Sequence, residues 1–95
     1  MDKLEALALL KQSMAEVPRL RALHHANGEF TQWRNGVLRM LGQAYGLESA
    51  QYSRFADAPG KSFIVNTDLG LQQDYEFRLD CYESALRTLI DRAQS

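Results

Sequence analysis

The stretch Phe30–Phe55, FTQWRNGVLRMLGQAYGLESAQYSRF, decides how this chain folds. Phe30, Trp33, Val37, Leu41 and Tyr45 recur at steps of three or four, so they line one stripe of a helix. Tyr45-Gly46 interrupts the run, and Tyr52 and Phe55 resume the spacing beyond it. The pattern predicts a helix over 29–45, a glycine stop at Gly46 and a short helix over 48–55 that offers Tyr52 and Phe55 to the core. Gly36 and Gly42 lie inside the longer helix, where each costs roughly 1 kcal/mol relative to alanine, which points to close approach of a neighbouring helix. Nothing in the stretch forms a reactive constellation.

Toward the N-terminus, Asp2-Lys3-Leu4-Glu5 can act as a capping box, with the Asp2 side chain accepting from a first-turn amide while Glu5 reaches back. Leu4, Leu7, Leu10, Met14 and Val17 then form a buried stripe that Leu9, Leu20 and Leu23 widen. Pro18 clashes with the carbonyl four residues back and disfavours helical geometry at Val17, so the segment kinks there or restarts with Pro18 in a first turn. Asn27-Gly28 is expected to supply a left-handed stop.

Toward the C-terminus, ADAPGKSFIVNTD (56–68) loses all periodicity and predicts an ordered loop with a short extended piece at Phe63-Ile64-Val65. Its length makes it the first place to look for a site. A last helix is expected over 69–93, with Leu71, Tyr75, Leu79, Tyr82, Leu86 and Leu89 in a near-heptad seam. Phe77, Cys81, Ala85 and Ile90 add apolar surface beside that seam, more than one bundle face needs, and this predicts self-association through Leu79, Tyr82 and Leu86.

The expected fold class is therefore all-α: a small helical bundle of three long helices plus one short helix, with one long loop, in a single domain over 1–95. The first and last long helices should pack along the aromatic second one, around Leu7, Leu10, Trp33, Val37, Leu41, Leu79, Tyr82 and Leu86. Burial of each contributes on the order of 2 kcal/mol.

Composition bounds the function. An apolar share of 45%, a charged share of 24% and a net charge of −1 exclude a disordered chain. Basic residues scattered from Lys3 to Arg92 form no patch that tracks phosphates, so no nucleic acid is expected as a partner. Asp2 and Glu5 flank the short run ALALL, and no long uncharged segment follows, which argues against a signal peptide or a membrane span. Cys81 is the only cysteine, so no intrachain disulfide can form; a buried small hydrophobe in a cytoplasmic protein is expected.

Gly60-Lys61-Ser62 looks like the tail of a phosphate-binding loop, but Phe55 stands where the first glycine of that motif belongs. Lys61, Ser62 and Arg54 are still the candidate contacts for the phosphates of a nucleotide, with Tyr or Trp faces for its base. Arg19 and His24 have the R-x4-H spacing by which all-helical HEPN ribonucleases join a cation and an imidazole, although Leu20 replaces the polar residue usual there. His24-His25 makes a poor metal site if the pair is helical, because helical neighbours point about 100° apart. No metal or cofactor is expected. Asp74, Glu76, Asp80 and Glu83 read as a solvated face of the last helix. No serine stands in a nucleophile-elbow context, so no enzyme is expected.

The order Phe30, Trp33, Val37, Leu41, Tyr45-Gly46, Ser49, Tyr52 and Arg54-Phe55 resembles a helical module at the N-terminus of bacterial defence proteins. In those proteins it is followed by a TIR-like or other nucleotide-processing effector domain. The likeness covers Leu4 to Phe55 and, loosely, the last helix; the departure is that the 95 residues carry no effector domain. The resemblance implies an accessory role, such as self-assembly or partner docking, and transfers no catalytic residue.

The leading expectation is a non-enzymatic helical interaction and assembly module, a homo-oligomer that docks onto or regulates a protein partner in bacterial antiviral defence. Two other readings stay open. One is a small-ligand binder that captures a nucleotide signal through Lys61, Ser62 and Arg54, and the other is a HEPN-like ribonuclease acting through Arg19 and His24.

Overall fold

The first helix starts where Asp2 can cap it: its Oδ1 accepts the Glu5 N–H at 2.8 Å. In the computed structural model, which describes residues 2–60 and 67–94, the order is α1 (Lys3–Ala15), α2 (Val17–Arg21), α3 (Glu29–Tyr45), α4 (Ala50–Ala56) and α5 (Asp68–Gln94). The chain is all-α, with no strand among the described residues. Lys61, Ser62 and the extended piece expected at Phe63-Ile64-Val65 lie outside them. No helix among the described residues is long and apolar enough to cross a membrane.

Pro18 divides the first long segment. It has no N–H to give the Met14 carbonyl, so α1 ends at Ala15 and α2 restarts with Pro18 in its first turn. The carbonyls exposed by these two ends find donors elsewhere. Ser13 C=O accepts the Trp33 indole N–H from α3 at 3.0 Å as well as the Glu16 N–H. Leu20 C=O accepts the Tyr75 hydroxyl from α5 and the Leu23 N–H. Each aromatic residue is otherwise buried in the core, so one side chain supplies both apolar area and a second hydrogen bond to the carbonyl.

The packing order differs from the expected one. It is α1, not the aromatic α3, that lies along both other long helices, while α4 rests on α3 and α5. α3 and α5 meet mainly through large rings rather than close backbones. Trp33 packs edge-on to Phe55 and Tyr82, Phe55 lies against Tyr82 with centroids 4.7 Å apart, and Phe30 meets Tyr75 edge-on at 5.2 Å. The rings fill a gap that aliphatic chains would leave open. Arg34 caps the cluster, donating from Nε to the Tyr82 hydroxyl at 2.6 Å with its guanidinium carbon 5.8 Å from the ring centroid.

The core holds Leu10, Trp33, Val37, Leu41, Leu79, Tyr82 and Leu86 as expected, with Leu7 partly buried beside it. Leu79, Tyr82 and Leu86, expected to offer surface to a partner, are consumed inside the chain because α1, α2 and α4 together cover that seam of α5. Leu4 and Leu71 stand at the ends of their stripes, beyond the packed turns, and are exposed. Gly28 is not a left-handed stop; its φ is −85° and it precedes α3, while the Asn27 side chain does the capping by accepting the Phe30 N–H at 2.9 Å. Gly36 meets nothing close, so no approach explains it. The acidic side of α5 is partly engaged: Arg21 of α2 reaches Asp80 and Glu83, and Arg78 pairs with Asp74. Cys81 is half-buried rather than fully so, and burial, with the Asp80 charge adding, raises its thiol above the ordinary range.

A fully buried aliphatic contact and an exposed ring should respond differently to truncation. Leu41→Ala is expected to cost about 2–5 kcal/mol in urea unfolding, whereas Phe77→Ala, on the outer face of α5, should stay within about 0.5 kcal/mol of the parent.

Candidate functional site

The turn from α3 into α4 is built by three residues. Gly46 takes φ 100° and ψ 152°, a region essentially closed to residues with a Cβ, and ends α3. Leu47 then folds back onto Gly42, where an added Cβ would lie 2.9 Å from a Leu47 methyl; this is the close approach that the Gly42 position implied, made by the following turn rather than by a distant helix. Ser49 Oγ accepts the Tyr52 N–H at 3.1 Å and donates to the Gly46 carbonyl at 2.7 Å, capping α4. With that turn fixed, α4 buries Phe55 and leaves its neighbour Arg54 exposed.

Arg54 faces a cleft of about 270 Å³ at one end of the bundle. Lys3 from the start of α1, Tyr45 from the end of α3, Gln51 and Arg54 from α4, and Leu89 and Arg92 from the end of α5 form most of its wall. Its volume sits near the lower end of the roughly 300–1,000 Å³ usual for small-molecule sites. Three cationic side chains line it and no carboxylate does. Neither Lys3 nor Arg54 makes an ion pair among the described residues. Like charges gathered in a concave wall attract an anion, and a guanidinium can hold a phosphate through two parallel hydrogen bonds. The half-buried Tyr45 ring and Leu89 supply an apolar side to the same cleft.

The other residues singled out by sequence part company. Arg19 pairs with Glu29 at 3.1 Å and with Glu16 at 3.8 Å, whereas His24 pairs with Asp68, so the two R-x4-H residues go to different carboxylates. His24 and His25 lie in the connection between α2 and α3, not on a helix. The helical argument against their converging therefore does not apply: their rings stand 4.1 Å apart and both reach Asp68. Hydrogen bonds from His25 and then His24 hold the Asp68 carboxyl below the ordinary carboxylate range.

Of the cleft residues, sequence reading found Arg54 alone. Lys3 and Arg92 are at opposite ends of the chain and only packing joins them, while Tyr45 carried no mark beyond its place in the stripe. The turn that sets the cleft is open to test: Gly46→Ala should destabilise the protein by about 1–3 kcal/mol, read as a lower urea midpoint at unchanged slope. No protein-family model, curated protein or solved structure matches the chain.

Proposed function

We propose that the chain is a binding module whose cleft takes a small phosphorylated ligand, with the phosphate held by Lys3, Arg54 and Arg92 and a planar group resting on Tyr45. One observation carries this reading: three cations from three helices converge on a single cleft whose wall has no carboxylate. The nucleotide expectation keeps its Arg54 contact in this form, with Lys3 and Arg92 as the partners found beside it. A cytoplasmic setting suits both the ligand and a lone, half-buried cysteine.

Pyrophosphate, AMP and a cyclic dinucleotide are the probes. A ligand at a hundredfold excess over its Kd stabilises by about 2.7 kcal/mol, which for a domain of this size raises Tm by on the order of 10 °C. At least one probe should do so, and the shift should vanish in Arg54→Glu. No shift from any probe, or an equal shift in Arg54→Glu, would overturn the proposal.

The assembly reading retains a specific observation. Leu79, Tyr82 and Leu86 are spent in the core, but Phe77 is 47% exposed, one half-turn from both Tyr75 and Leu79 and thus on the outer face of α5. A second copy of the chain is the proposed partner, and an accessory role in bacterial defence rests on the resemblance over Leu4 to Phe55 and, loosely, the last helix. Light scattering across a concentration series checks it: Phe77→Glu should shift an oligomer to monomer, and a parent that is monomeric at every concentration sinks the idea.

A further inference from the structure

The connection between α2 and α3 is pinned to α5 through its backbone. The His25 N–H donates to the Gln72 side-chain oxygen at 2.9 Å, and the Gln72 amide donates back to the Leu23 carbonyl at 3.2 Å. Asn27 donates to the Tyr75 hydroxyl at 3.3 Å, so a second residue of the same connection is tied to the same helix. Asp68 stands four residues before Gln72, on the same face of α5, one turn away. The loop is thereby held so that both imidazoles meet one carboxylate: His25 Nε2 is 2.7 Å and His24 Nε2 3.1 Å from the same Asp68 oxygen.

We propose that His24, His25 and Asp68 form a binding site for a divalent transition-metal ion of the zinc class, which ties the α2–α3 connection to the start of α5. The three donor atoms lie within 4.8 Å of one another. Ligands about 2.0–2.2 Å from a tetrahedral zinc stand about 3.4 Å apart, so the observed spacings need adjustments of about 0.3–0.7 Å at the carboxylate and of at most about 1.4 Å between the rings. Two imidazoles and one carboxylate favour zinc, cobalt or nickel over magnesium and calcium, which prefer all-oxygen shells. His24 and Asp68 are largely exposed, which opens the site to solvent and leaves the fourth position to water.

The two histidines are not equivalent. His24 Nδ1 accepts the Ala26 N–H at 3.1 Å, so its neutral ring carries the proton on Nε2 and donates it to Asp68. Metal taken up at Nε2 moves that proton to Nδ1, and the Ala26 N–H loses its acceptor. His25 Nδ1 has no hydrogen bond among the described residues, and its side chain is 17% exposed, better held than the His24 ring. His25 and Asp68 are therefore the stronger ligands and His24 the weaker.

Calorimetric titration of the full chain with Zn²⁺, and the visible absorption of Co²⁺ in its place, test the site. A single ion should bind at neutral pH, be removed by EDTA and resist competition by excess Mg²⁺. His25→Ala and Asp68→Asn should each weaken it by on the order of tenfold or more, and His24→Ala by less. Circular dichroism of each variant separates a lost ligand from a lost fold. No binding at submillimolar Zn²⁺, or binding that His25→Ala leaves unchanged in a folded chain, overturns the proposal.

Discussion

The fold depends on how the break at Pro18 is healed. A proline inside an amphipathic segment has no N–H for the carbonyl four residues back, here that of Met14, and the helix ends on either side of the break present further carbonyls. Here the Trp33 indole reaches the Ser13 carbonyl and the Tyr75 hydroxyl reaches the Leu20 carbonyl. The two donors come from different helices, so both α3 and α5 are tied to the first segment at the points where it is weakest. Both carbonyls also accept a backbone N–H, from Glu16 and from Leu23, so each ring adds a second hydrogen bond, worth about 0.5–1.5 kcal/mol.

That requirement also accounts for the aromatic centre. Since α1 lies along both other long helices, α3 and α5 stay far enough apart that rings do most of the bridging. Phe30, Trp33, Phe55, Tyr75 and Tyr82 do so, and Arg34 closes the polar end of Tyr82. The heptad-like seam of α5 is thereby used up within the chain. A helix that reads as self-associating in isolation becomes an internal face once α1 and the two short helices, α2 and α4, cover it.

The same arrangement sets both surfaces of functional interest. At one end of the bundle the start of α1 and the end of α5 meet the α3–α4 turn, which gathers Lys3, Arg54 and Arg92 beside Tyr45. Around the α2–α3 connection, Gln72 and Tyr75 of α5 hold a short loop whose histidines converge on Asp68. The cleft side chains stand near the ends of four helices, whereas at the second surface a connection carries the two histidines and the helix it is tied to carries the carboxylate.

Sequence by itself determined the local features: the Asp2 cap, the restart at Pro18, the span of α3 at Glu29–Tyr45, the glycine stop and most of the core. These follow from rules that act over three or four residues, namely helical periodicity, capping and the missing proline N–H. Tertiary structure alone decided that α1 is central, that Leu79, Tyr82 and Leu86 are covered, and that Arg19 and His24 go to different carboxylates. It also brought Lys3 to Arg92, from opposite ends of the sequence, and His24-His25 to Asp68, more than forty residues away. Periodicity tells which face of a helix is apolar but not which helix will cover it, and charges distant in sequence become neighbours only through packing.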